Sequence, residues 1–101
     1  MWIFLRDGFF SVVQDRNNAR LLLVRARQRE HLQRHFPDHE IHETPERDYR
    51  FRLTAERDVV SQWLARASSE IAYPNFKDNI PDPQYRFAAT TVWQEMLKIQ
   101  E

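Results

Sequence analysis

The sequence predicts an α+β domain: an antiparallel sheet of about five strands with three helices, ferredoxin-like or a permuted variant of it. Three observations predict this class. Short β-prone runs joined by turn residues fill the first half, as in Trp2–Leu5, Phe9–Gln14 and Leu21–Arg27. Stripes with a helical period fill the second half. Neighbouring strands joined by tight turns pair antiparallel, and helices that follow them pack on the sheet.

The first hairpin is signalled by Asp7-Gly8 between two apolar runs, where Gly8 is expected to supply a positive φ. Asp15-Arg16-Asn17-Asn18 reads as a second turn. In the third strand Leu22, Val24 and Ala26 face one way, and Leu23, Arg25 and Arg27 the other. Arg29–Phe36 is a short helix with Leu32 and Phe36 on its inner face, closed by Pro37. His39–Glu43 is a weak strand around Ile41. Asp48–Leu53 is a stronger one, with Tyr49, Phe51 and Leu53 on one face and Arg50 and Arg52 on the other.

Thr54 is expected to cap the second helix, with Glu56 and Asp58 in its first turn. Val60, Trp63, Leu64, Ala67 and Ile71 form its inner stripe. A proline-bearing loop, Tyr73–Pro83, leads to a last helix capped by Asp82 with Pro83 at its first position. That helix is expected to bury Tyr85, Ala89, Val92, Met96 and Ile99.

Composition narrows the function classes. At 101 residues with 42% hydrophobic content, the chain suits one domain with its own core. One glycine excludes a dinucleotide or Walker phosphate loop. The absence of cysteine excludes disulfides, Cys-ligated zinc and thiol catalysis. No apolar run approaches the ~20 residues of a membrane span, and the N-terminal apolar stretch is too short for a signal peptide. A cytoplasmic protein with no membrane partner is expected. Fifteen basic and fifteen acidic residues give zero formal charge, so the chain lacks the overall field of a typical nucleic-acid binder. Its cations are nearly all arginine, with only Lys77 and Lys98 besides.

The stretches Asp7–Gln14, Asp48–Arg52 and Tyr73–Asp78 resemble those of a family of small, uncharacterised bacterial proteins. The resemblance spans most of the chain and implies a bacterial origin. It carries over no functional residue.

Four groups of residues stand out in the sequence. His31, His35, His39 and His42 cluster in sequence, but strand alternation separates His39 from His42 and no general-base glutamate follows His31. No metal, cofactor or catalytic residue is assigned. Arg25, Arg27, Arg50 and Arg52 are expected to share one sheet face, suited to phosphate or to an acidic protein, or else to pair with Glu40, Glu43 and Asp48. The loop residues Tyr73, Asn75, Lys77 and Asp78 are the other candidate binding group, against a plain reading as a connector held by turn hydrogen bonds. The first hairpin is apolar on both faces and needs cover on both.

The leading expectation is a non-enzymatic interaction or regulatory protein that works by protein contact and self-associates as a homo-oligomer. An RNA- or DNA-binding ferredoxin-like domain using the arginine stripe is the alternative. A metal-dependent nuclease built on Asp48, Asp78 and histidine ranks last.

Overall fold

A computed structural model describes residues 1–100. The chain forms two compact units, Met1–Ile71 and Ala72–Glu101.

The first unit holds the whole sheet. Its strands are β1 (Trp2–Leu5), β2 (Gly8–Gln14), β3 (Leu21–Ala26), β4 (His42–Glu43) and β5 (Phe51–Glu56), in the order β1-β2-β3-β5-β4. Every neighbouring pair is antiparallel. Helix α1 (Arg29–His35) links β3 to β4, and β5 lies between those two strands. That is a split β-α-β unit. Helix α2 (Arg57–Ser69) follows β5, and β2 flanks β3 from the N-terminal side. The order β2-β3-α1-β4-β5-α2 is the ferredoxin-like plan with an end strand moved from the C-terminus to the N-terminus. Strand β1 extends the sheet at that edge.

Register places the core on one sheet face. Phe10 and Val12 of β2, Val24 and Ala26 of β3, and Leu53 and Ala55 of β5 pack against Leu32 and Phe36 from α1 and its cap, and Val60 and Trp63 of α2. The centre is aromatic. The Phe10 ring meets Trp63 edge-on at 5.0 Å and His35 edge-on at 5.2 Å. An aromatic pair such as Phe10–Trp63 adds about 0.5–1.5 kcal/mol beyond burial.

Two polar histidines knit α1 to the first hairpin. His31 Nδ1 accepts the Phe9 backbone N–H at 3.2 Å. His35 Nδ1 accepts the Trp63 indole N–H at 2.9 Å, and its Nε2 lies 2.7 Å from Asp7 Oδ1. The neutral Nε2–H tautomer of His35 satisfies both partners.

Several expectations are corrected. Gly8 has no positive φ, and among the described residues no other does, so the β1–β2 turn is not the mirror-image type. Gly8 is required for space: a Cβ there would lie 2.7 Å from the tip of the Phe10 ring and 3.2 Å from His31 Cβ. Strand β5 starts and ends later than expected. Thr54 pairs with Leu23 inside the sheet, and Glu56 takes the N-cap position of α2. The cross-strand ladder outweighs a local capping signal here. Strand β4 shrinks to His42–Glu43, without Ile41. Ile71 lies exposed beyond the end of α2.

The second unit consists of a 3-10 turn (Lys77–Asn79), helix α3 (Pro83–Met96) and a closing 3-10 turn (Leu97–Ile99). Asp82 caps α3 through its carboxylate, which accepts the Gln84 N–H, and Pro83 occupies the first turn. Tyr85 and Ala89 are buried, whereas Met96 and Ile99 are exposed, against expectation. Among the described residues no helix is long and apolar enough to cross a membrane.

Candidate functional site on the open sheet face

Both helices of the first unit pack on the core face, so the residues of opposite parity form the other face of the sheet. Register lists them by pairs: Trp2 beside Ser11, Phe4 beside Phe9, Ser11 beside Arg25, Val13 beside Leu23, and Arg25 beside Arg52. His42 of β4 stands next to Arg52.

Tyr49 anchors the centre of this face. It precedes β5 and is freed from strand parity. Its ring lies under the guanidinium groups of Arg25 at 4.7 Å and Arg27 at 4.8 Å. Only 5% of Tyr49 remains exposed. This reverses the expected face, because Tyr49 does not join Phe51 and Leu53. The Tyr49 carbonyl accepts a hydrogen bond from Arg52 Nη2 at 3.1 Å. Arg25 Nη2 donates to the buried Ser11 hydroxyl at 2.7 Å.

The arginines are held against their own electrostatics. Among the described residues, Arg25, Arg27 and Arg52 form no ion pair. The Nε atoms of Arg25 and Arg52 are buried without a partner. Burial lowers the Arg52 pKa from its ordinary value, the positive charges of Arg47 and Arg25 add to this, and Asp48 and Glu46 oppose it. Two like charges opposite each other in a ladder are destabilising.

Arg50 is corrected out of the cluster. Its guanidinium binds Glu43 at 2.8 Å, and Arg29 approaches the same carboxylate at 4.0 Å. The expected four-arginine stripe is therefore three arginines on the face, plus one in a surface ion pair.

Aromatic rings continue from Tyr49 toward the β1 edge. Phe9 lies 6.3 Å from Tyr49, Phe4 stacks on Phe9 at 4.6 Å, and Trp2 meets Phe9 edge-on at 6.2 Å. Trp2 is 65% exposed, and Phe4 and Phe9 are half-buried. The two-sided apolar hairpin read from the sequence is thus the source of this run. Residue pattern alone does not mark Tyr49 as a site residue; its place just ahead of Phe51 and Arg52, between a turn and a strand, is the available signal.

The other candidate loop lies in the second unit. Asn75 Oδ1 accepts the Asp78 N–H at 3.1 Å, Lys77 Nζ is 3.6 Å from Asp78 Oδ1, and the same ammonium sits 4.7 Å above the Trp93 ring. Tyr73 and Phe76 pack with centroids 6.0 Å apart. These side chains order the loop around each other. No step of acid–base chemistry follows from the arrangement.

Among the described residues no three histidine or carboxylate side chains gather as metal ligands. His31 is buried, which lowers its pKa, an effect the Phe9 hydrogen bond partly opposes. The arrangement on this face provides fixed positive charge and, at Trp2, exposed π-surface. Comparison with protein-family models, curated proteins and solved structures finds no match to this chain.

Proposed function

We propose that the open sheet face binds single-stranded nucleic acid. One observation carries this reading: Arg25, Arg27 and Arg52, in no ion pair among the described residues, flank Tyr49 at the end of the aromatic run Trp2–Phe4–Phe9. Unpaired bases stack on exposed aromatic rings, and guanidinium groups hold the phosphates between them. An antiparallel sheet suits this because its side chains project from one plane. Zero net charge does not oppose the reading. Arg50 and Arg29 meet Glu43 away from the cluster, while the face keeps its own positive charge. The reading requires no cofactor and no catalysis.

Chemical-shift mapping with a short oligothymidylate tests it. Perturbations should concentrate on Trp2, Phe9, Ser11, Leu23 and Arg25. Binding whose shifts fall only outside this face, or no binding at low salt, would remove the proposal.

Self-association is the second reading, favoured by the short edge strand β1 and its exposed Trp2. Unpaired strand edges are templates for pairing. Sedimentation of the free protein distinguishes the two: a dimer lost on Trp2→Ser supports it, and a monomer at micromolar concentration sinks it.

A further inference from the structure

The arginine cluster opens into a groove of about 350 Å³ on the same face. Its cationic lining is Arg16, Arg25, Arg47 and Arg52, and its one acid is Asp15. Val13 and Leu23 supply apolar wall, and Thr44 contributes a hydroxyl that already donates to the Tyr49 carbonyl at 3.1 Å. The Asp15 carboxylate is engaged locally: its Oδ1 accepts the Asn17 N–H at 2.9 Å and the Asn18 N–H at 3.0 Å.

Four guanidinium groups against one committed carboxylate leave a surplus of three positive charges. An internal phosphodiester brings a single negative charge. A terminal phosphate monoester brings about −1.5 to −2 near neutral pH and three acceptor oxygens. The volume is at the low end for ligand sites, roughly 300–1,000 Å³, which suits one nucleotide rather than a run of them. Two walls also have different origins. Arg25 and Arg52 come from the ladder, whereas Arg16 and Arg47 come from exposed positions in the β2–β3 and β4–β5 connections.

We infer that this groove is a subsite for the terminal phosphate of a nucleic-acid strand, gripped by Arg16, Arg25, Arg47 and Arg52. The inference rests on the nucleic-acid reading of the sheet face and names the chain end that the face would hold. Planar guanidinium groups grip phosphate through paired N–H donors, and such charge-assisted bonds are the stronger kind.

Three deca-thymidylates with an internal fluorophore test it by anisotropy: one with a 5′-phosphate, one with a 3′-phosphate, and one with hydroxyls at both ends. One phosphorylated end should bind about ten-fold tighter than the unmodified strand, as expected for an added charged hydrogen-bond pair. Arg47→Gln and Arg16→Gln, both at exposed turn positions, should each remove most of that gain and leave the unmodified strand's affinity nearly unchanged. Equal affinity for all three strands overturns the subsite while the sheet-face reading stands. A phosphate gain that survives both substitutions places the end group elsewhere and also overturns it. No binding of any strand by the wild-type protein overturns the subsite and the sheet-face reading together.

Discussion

Arg25 and Arg52 stand directly opposite each other on β3 and β5, two guanidinium groups on one face of one ladder. Each is held by a neutral acceptor, Ser11 for Arg25 and the Tyr49 carbonyl for Arg52. The fold gains little from this pair. Like charges across a ladder are destabilising and burial desolvates Arg52, and these costs offset hydrogen bonds that, with a charged donor, return about 1.5–3 kcal/mol each.

Replacing Arg52 by Gln should therefore change stability little. The lost charge-assisted hydrogen bond is offset by relieved repulsion and by removal of a desolvated guanidinium whose Nε is unpartnered, and the net effect in urea unfolding should stay within about 1.5 kcal/mol. Oligonucleotide affinity should fall in the same variant. A large loss of stability, above about 3 kcal/mol, would mark Arg52 as a structural residue of the kind whose removal breaks a buried network.

Gly8→Ala should destabilise by about 1–3 kcal/mol, the usual cost of overpacking. The cause is steric and has nothing to do with φ, since the new methyl would press on the fully buried Phe10 ring and on His31. Phe10 cannot swing away because Trp63 and His35 hold it edge-on. Denaturant midpoints of Gly8→Ala alone and with Phe10→Leu check this: the second change should recover part of the loss. A Gly8→Ala protein as stable as wild type would contradict the packing described.

His31 should make stability fall in mild acid. Its folded pKa is lowered by burial, so the unfolded chain binds more protons below about pH 6.5, the ordinary histidine value. The contribution is fully present above that value and is lost as pH falls from it toward the folded pKa. Asn at position 31 can still accept the Phe9 N–H, so His31→Asn should flatten the pH dependence of unfolding below about 6.5. An unchanged profile would show that the ring is not desolvated.

Trp63→Phe should cost more than lost area alone. It keeps an aromatic ring near Phe10 and Phe36 but removes the N–H that His35 Nδ1 accepts. A part-buried acceptor left unpaired costs about 1–3 kcal/mol. A double-mutant cycle with His35→Leu isolates the coupling, and near-additive losses would deny the hydrogen bond a stabilising role.

Much of this was legible in residue patterns, and the failures share one cause. Val24 and Ala26 alternate against Arg25 as the strand period requires, and Asp82 with Pro83 starts α3 where capping chemistry says it should. Strand alternation misplaces Tyr49 because β5 starts only at Phe51. Once outside the ladder, the residue turns to lie beneath Arg25 and Arg27. Thr54 and Glu56 look like helix-start residues, but their register with Leu23 and Leu21 keeps them in the sheet. The same shift separates Arg50 from Arg52: only Arg52 is in the ladder, and Arg50 reaches Glu43. Local chemistry marks where elements begin. It does not show how far a ladder runs when its partner strand is distant in sequence.

The central claim is tested most directly by the salt dependence of oligothymidylate binding to wild type and to Arg25→Gln/Arg27→Gln/Arg52→Gln, followed by anisotropy between about 50 and 200 mM salt. Three phosphate contacts on a single strand should give a slope of log affinity against log salt near −2, from about 0.7 per contact. The triple variant should lose both the slope and most of the affinity at low salt, while its circular dichroism spectrum stays that of the folded protein. Wild-type affinity and slope retained in the triple variant, or no binding by wild type at the lowest salt, would contradict the account.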